Sequence, residues 1–425
     1  MVVSKYMKTF LLALVGLVVI GGTVVWLTRD EAGSAPPTKG EVVTPITPET
    51  SKLVPKTVTF ADKSQATFRL RGEFDISVAA EGLGKARFMA WSPDGRLFIA
   101  DMVNWNLSHK GRILILENFD AASKRFTKQS VYLTDQRGPN SLAFYTDNDG
   151  KTWLYVALTE ALYRYPYKAG DTKSSGGRQT VATFPNKQSP GADGIVWHVT
   201  RSIVFKGDRL YVSVGSGCNL CEQPESELRA VVLSMDPDGK NVETYVSGFK
   251  NAVGIEFAGD TLYATENGVD HLGGEKPDDG MYKLEKGKNY GWPYCYELSG
   301  EKYDDAGRVW QRKSVDCAAV PKYFVSFGPH AAPLGLMYFE GGNAFLSKTF
   351  LVALHGSHDP KLAQGYAVVR VTLDGKQEIF MDGFIDSAGK RPARPVAFLK
   401  KDENSFFLSD DHGGRIFYIY SGSNE

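Results

Sequence analysis

The chain has 425 residues, enough for two average domains or one large repeat domain. Its 49 Lys plus Arg balance 49 Asp plus Glu, and this neutrality argues against a nucleic-acid or acidic-surface partner. Plentiful Gly (44) and aromatic residues (24 Phe, 20 Tyr, 7 Trp) point to an all-β protein with many turns.

Residues 10–27, "FLLALVGLVVIGGTVVWL", carry no charge and reach the lower length limit for a bilayer span. Lys5 and Lys8 precede the run and "RDE" follows it, which keeps the N-terminus cytoplasmic and exports the rest. Residues 1–29 are thus expected to be a transmembrane anchor. A cleaved signal peptide ending near Ala32-Gly33-Ser34 is the competing reading. Residues 30–56, rich in Pro, Thr, Gly, Glu and Lys, read as a flexible tether, and residues 57–425 as the folded domain.

Within that domain a strand pattern recurs: "DGRLFIAD", "GKTWLYVAL", "GDRLYVSVG", "GDTLYATEN", "SKTFLVALHG" and "ENSFFLSDD". The first apolar residues, Leu97, Leu154, Leu210, Leu262, Phe350 and Phe406, are spaced by 57, 56, 52, 88 and 56. Each strand follows a shorter apolar partner: "FMAW", "SLAF", "SIVF", "VGIEF", "LGLMYF" and "PVAF". Six such sheets predict a six-bladed β-propeller, preceded by the one N-terminal transmembrane helix. The interval of 88 contains Cys295 and Cys317, expected to staple an insertion.

Export permits disulfides. Cys218-Asn219-Leu220-Cys221 has the spacing of redox and zinc sites, but there is no second such pair to complete a zinc site. A local disulfide is the plainer reading, with a redox-active pair left open.

In a propeller, the loop entering the first strand of a blade and the loop leaving the second share one rim. The first set holds Arg87, Asn140, His198 with Arg201, Lys250 with Asn251, His330, and Arg391 with Arg394. The second holds Asp101, Glu160, Ser216 to Asn219, Asn267 to Asp270, Ser357 to Lys361, and Asp410 to His412. So many cations around one mouth repel one another unless an anion sits among them, which predicts a small polyanion bound on the axis.

The strings "HVTRSIVFKGDRLYVSVGSGCNLC", "VSGFKNAVGIEF", "ATENGVD", "NYGWPYCYE", "PHAAPLGL" and "SDDHGGRIFYI" resemble the soluble pyrroloquinoline-quinone-dependent sugar dehydrogenases, especially the sorbosone- and aldose-dehydrogenase-like branch. The resemblance runs over residues 65–421. It implies a planar tricarboxylate quinone (PQQ) with Ca²⁺, and oxidation of an aldose or related sugar aldehyde by hydride transfer from C1. By this resemblance His198 is the general base, and Arg201 orients it or contacts the cofactor. Lys250 and Asn251 contact the quinone oxygens, while His330, Lys361, Arg391 and Arg394 hold the carboxylates, with Arg87 in the same basic ring. The same resemblance implies that main-chain carbonyls of Gly268 and Val269 hold the calcium, and Asp270, close by in sequence, could help through water. Three departures stand out: Lys250 replaces the usual Arg, "GSHDPK" replaces a Ser-Trp-Asn-Arg pattern so that either His358 or Lys361 faces the cofactor, and Gly280 replaces an acid.

The partners implied are a sugar, an electron acceptor such as a quinone or cytochrome, and the membrane through the anchor, in a periplasmic or other extracytoplasmic setting. A metal-dependent lactone hydrolase would need carboxylates and Asn at the channel centre, where this set is cationic. A non-catalytic sugar-binding propeller would need no His there.

Overall fold

A computed structural model describes residues 53–104, 108–185, 198–223, 227–306 and 315–421. The expected membrane segment 1–29 lies outside these. Among the described residues no helix is long and apolar enough to cross a membrane.

The expected propeller is present. Blade one is built from Ala86–Trp91, Leu97–Asp101, Gly111–Asp120 and Arg125–Gln136. Blade two follows with Ser141–Thr146, Thr152–Ala157, Ala161–Pro166 and Gln179–Thr183. Blade three has Arg201–Lys206, Arg209–Val214, Val231–Met235 and Glu243–Ser247. Blade four has Ala252–Ala258, Thr261–Glu266, Asp278–Lys283 and Val325–Pro329. Between its last two strands lies the hairpin Cys295–Leu298 and Glu301–Asp304, where Cys295 pairs with Cys317 as expected. Blade five has Pro333–Phe339, Thr349–Leu354, Ala367–Thr372 and Gln377–Asp382, and blade six Pro395–Asp402, Ser405–Asp410 and Arg415–Ser421. Each first strand contacts the first strands of both neighbouring blades, closing a ring about the axis.

Two features were not anticipated. The fourth strand of blade six is Phe74–Ala80, which precedes blade one, so the ring closes by joining the two ends of the propeller in one sheet. The hairpin Leu53–Thr59 and Gln65–Arg71 extends blade five to six strands. Its first strand begins four residues inside the segment expected to be a tether, because Leu53 to Lys56 pair with Arg71 to Phe68.

The second strands are buried along their whole length in blades one, five and six, packed on both faces by neighbouring blades, which is why they read as continuous apolar runs. Blades splay outward, and the abundant aromatic residues fill the wedges between them. Phe98 meets Phe144 at 5.0 Å across blades one and two, Tyr145 stacks on Phe205 at 4.7 Å across two and three, and Tyr263 meets Phe350 at 4.8 Å across four and five.

Candidate active site

A repeated local device shapes the predicted rim. In blades one, four, five and six the first strand bulges after its first residue, so Ala86, Ala252, Pro333 and Pro395 pair with Asp101, Glu266, Leu354 and Asp410 before the register slips. Such bulges re-aim side chains. In three of these blades the paired residue is a buried acid that accepts main-chain N–H groups from the entering loop. Asp101 takes Gly84 and Lys85, Glu266 takes Lys250 and Asn251, and Asp410 takes Arg394. Burial pushes Glu266 up to about 8 against the N–H donors of Lys250 and Asn251, and Asp410 up to about 6. The acids at the ends of the second strands therefore organise the loops of the rim.

A polar belt links all six blades. Arg87 Nε donates to Asn140 Oδ1 (2.9 Å), and Asn140 Nδ2 donates to the carbonyl of Arg201 (3.0 Å). Ser216 N donates to the carbonyl of Lys250 (2.8 Å), and Asn267 Nδ2 to that of Pro333 (3.0 Å). His355 Nε2 bonds Asp411 Oδ1 (2.8 Å), and Asp411 Oδ2 accepts from Arg87 Nη1 (2.7 Å), which returns the belt to blade one.

His198 lies where the belt crosses from blade three to blade four. Its backbone is left-handed (φ 48°), a strained state for a residue with a Cβ. Arg201, fully buried, holds that turn by donating from Nη1 to the carbonyls of His198 and Thr200, both at 2.7 Å. The imidazole Nδ1 is 2.8 Å from Ser216 Oγ and 3.0 Å from the Ser216 carbonyl. Burial, then the positive charge of Lys250, hold the imidazole well below its ordinary pKa against the Ser216 bond, with Arg201 and Arg229 adding to the depression. A Cβ on Gly215 would stand 2.6 Å from His198 Cβ and 2.7 Å from Asn251 Oδ1. Only glycine there lets these two side chains share one spot.

Lys250 is 3% exposed, and its Nζ donates to the Gly268 carbonyl (2.6 Å) and to Asp270 Oδ2 (2.8 Å). Asp279 steadies this loop by accepting from Gly268 N (2.5 Å) and Ala332 N (2.7 Å), and burial pushes its carboxyl up to about 6. His330 borders the loop from blade five, with Nε2 2.8 Å from the Gly273 carbonyl and Nδ1 3.9 Å from Asp270.

The expected residues fall into two groups. His198, Arg201, Lys250, Asn251, Gly268, Val269 and Asp270 form one group on blades three and four, with His330 at its edge. Arg87 and Arg394 belong to a second, on blades five, six and one. Arg87 is 2% exposed and engaged by Asp411 and Asn140. Arg394 donates to the carbonyls of His355 (2.9 Å) and Gly356. Arg391 adds its charge beside Arg394 and His412. Lys361 is exposed on the short turn Pro360–Leu362, and its ammonium has no hydrogen bond among the described residues.

The argument from mutual repulsion is therefore corrected: Asp411 and Asp270 supply anions to Arg87 and Lys250 from within the chain. Of the two candidates in "GSHDPK", both His358 and Lys361 are exposed, while the buried imidazole is His355, one residue upstream of that string. Burial pulls His355 down to about 4 against the opposing pull of Asp411. Gly280 has its own reason: a Cβ there would strike the Tyr323 ring at 2.4 Å. Sequence reasoning missed Glu266, Asp279, His355 and the structural use of Asp411. An acid closing the second strand in three of six repeats was the available signal.

The group on blades three and four has unmet capacity. Among the described residues Arg201 Nε and Nη2 and Asn251 Oδ1 are buried without a hydrogen-bond partner, donors that suit a carboxylate and an acceptor beside them. Burial, with Arg229 alongside, pulls the Arg201 guanidinium down to about 9, so it remains charged at neutral pH. The Gly268 carbonyl and Asp270 carboxylate already hold one cation, the Lys250 ammonium, and are oxygens of the kind calcium takes.

The family model for TrAA12-like proteins matches residues 68–422. An uncharacterised protein of Borreliella burgdorferi is 27% identical over 227 residues, 51% of this chain, and the chain spans 58% of that relative's length. The holo pyranose dehydrogenase PQQ domain of Coprinopsis cinerea superposes with a TM-score of 0.67 at 18% identity, covering 84% of this chain and 97% of that one. A calcium structure of the Trichoderma reesei carbohydrate-active enzyme of family AA12 gives 0.66 at 18% identity, over 83% and 96%. The PQQ-bound aldose sugar dehydrogenase of Streptomyces coelicolor gives 0.56 at 18% identity, over 82% and 98%. At this level of identity the solved structures establish the shared propeller fold.

Proposed function

Because the chain belongs to the TrAA12-like family, we propose that it is a pyrroloquinoline-quinone-dependent dehydrogenase that oxidises an aldose or related sugar aldehyde. When bound, PQQ would supply the hydride-accepting ortho-quinone and Ca²⁺ the polarising charge. The observation that carries the reading is the pair of Ser216 contacts to His198 beside the cation-holding oxygens of Gly268 and Asp270. A carbonyl only accepts, so the Ser216 carbonyl requires a proton on Nδ1 and leaves the imidazole lone pair on Nε2. Its lowered pKa keeps that lone pair available at neutral pH, as a base taking a sugar hydroxyl proton requires.

Lys250 brings positive charge where negative charge develops, and Asn251 stands next to the base. Arg201 has two nitrogens, Nε and Nη2, left for a carboxylate while the third, Nη1, fixes the His198 turn. Gly268, Val269 and Asp270 would hold the calcium. His330, Arg391, Arg394 and Lys361 would form the outer ring around the carboxylates. For Arg87 the contacts favour a supporting role through Asp411. The two disulfides support an oxidising, extracytoplasmic setting, with anchoring by residues 1–29 part of the same proposal.

The test is an absorption titration with quinone and Ca²⁺. A stoichiometric, shifted quinone band that bleaches on adding aldose is expected, and His198→Gln should retain the band but not the bleaching. Absence of quinone binding by the calcium-loaded protein would overturn the reading.

A further inference from the structure

Cys218 and Cys221 are joined, as the plainer reading of the C-x-x-C string expected, and the closed loop meets Ser216, the partner of His198. At one end the Cys218 carbonyl accepts the hydroxyl proton of Ser216 (2.6 Å). A hydroxyl has one proton. With it directed to Cys218, Ser216 Oγ offers only lone pairs to His198 Nδ1 and reinforces the demand that the Ser216 carbonyl makes. At the other end Asn219 Oδ1 accepts from Asp270 N (3.0 Å), and the Asn219 carbonyl accepts from Trp292 Nε1 (3.2 Å). Between them Leu220 packs with Val269 and Trp292 in a small core of its own. Gln223 braces the loop from behind, accepting from Gly217 N (3.2 Å) and approaching Cys221 Sγ (2.7 Å). The four-residue loop thus reaches the base through Ser216, and the loop expected to hold calcium through Asn219 and Leu220.

We propose that the Cys218–Cys221 loop is a positioning element that couples the two halves of the site: by closing, it fixes the proton of His198 on Nδ1 through Ser216 and seats Val269 and Asp270 through Leu220 and Asn219. The inference rests on the reading of His198 as base and residues 268–270 as the cation loop. A disulfide that served stability alone would not need its neighbouring carbonyl and Asn219 side chain aimed at these two places. With the loop open, the Cys218 carbonyl can turn away, and the Ser216 hydroxyl is released to donate to Nδ1. The imidazole proton then gains access to Nε2, the atom that must be unprotonated in a base.

The test uses the full chain with ¹⁵N-labelled histidine, His198 being assigned by its loss in His198→Gln. The unaltered protein should show one His198 tautomer, protonated at Nδ1. The double variant Cys218→Ser with Cys221→Ser should show a mixture. Adding Ser216→Ala to the double variant should restore the single tautomer, because the competing hydroxyl is gone while the carbonyl remains. This rescue separates loss of positioning from loss of folding. Calorimetric Ca²⁺ affinity should fall about tenfold in both the double and the triple variant, as removal of a supporting contact to a metal loop does. A single Nδ1–H tautomer in the double variant, or an unchanged calcium affinity, overturns the proposal. The tautomer measurement needs neither quinone, sugar nor metal, so its failure is distinct from failure of the dehydrogenase reading.

Discussion

The ammonium of Lys250 donates to the carbonyl of Gly268 at 2.6 Å, so a cation of the protein already rests on an oxygen expected to bind calcium. Asp270, the second acceptor, is about half exposed (49%), and solvent tempers the competition between lysine and metal. Lys250→Ala removes the competitor and leaves one more net negative charge at the loop. Ca²⁺ affinity should rise by roughly tenfold, about 1.4 kcal/mol, while hydride transfer slows for lack of the charge. Calorimetry on the variant and the parent checks the first part, and an unchanged affinity would show that the lysine swings away without resistance.

His198 sets a limit on acid stability and on rate. Burial and the Lys250 charge hold its folded pKa well below 6.5, so below pH 6.5 the unfolded chain binds a proton that the folded chain does not. Stability then falls as pH drops below that value, and this contribution is fully present above it. In His198→Gln the slope of melting temperature against pH between 6.5 and 5 should flatten relative to the parent. The acid limb of kcat/KM, which reports the free enzyme's base, should likewise lie below pH 6.5.

What the sequence made legible follows from what repeats. Six apolar strand pairs at blade spacing gave the architecture, and the long interval fell on the hairpin that Cys295 and Cys317 staple. The closure strand Phe74–Ala80 was hidden because its partner, Arg415–Ser421, lies at the other end of the chain, and no local pattern encodes that pairing. At the site, His198, Arg201, Lys250, Asn251 and residues 268–270 come together as their strand-end positions implied. Position alone could not say which charges the protein neutralises itself. Arg87 and Arg201 both stand at the starts of first strands, yet Arg87 meets Asp411 whereas Arg201 keeps two nitrogens, Nε and Nη2, unmatched.

Asp411 joins Arg87 and His355 in a buried network, and all three are at most 9% exposed. Burial would raise the Asp411 carboxyl, but His355, Arg87 and Arg394 outweigh it and hold it well below the usual carboxylate range. Asp411→Asn keeps the shape and leaves Arg87 without its counter-charge. A loss of about 3–5 kcal/mol in urea unfolding is expected, as for a broken buried pair. Glu301→Gln, which breaks the exposed pair with Lys322, should cost less than about 1 kcal/mol.

The hairpin that precedes the closure strand is held to the ring by few ladder pairs. The hairpin strand Gln65–Arg71 pairs with blade five only at Arg69 with Asp382 and Leu70 with Met381, so the ladder contributes little and packing must hold it. Phe68 provides that packing: fully buried, it meets Phe384 of the loop after blade five at 5.1 Å and Phe417 of blade six at 5.3 Å. Phe68→Ala should lose about 3–5 kcal/mol. Because the closure strand begins at Phe74, directly after this hairpin, the loss should be felt first as faster hydrogen exchange across residues 53–80 and their partners in blade six. Uniform acceleration in every blade would instead mean that the ring opens as one unit and that Phe68 is an ordinary core residue.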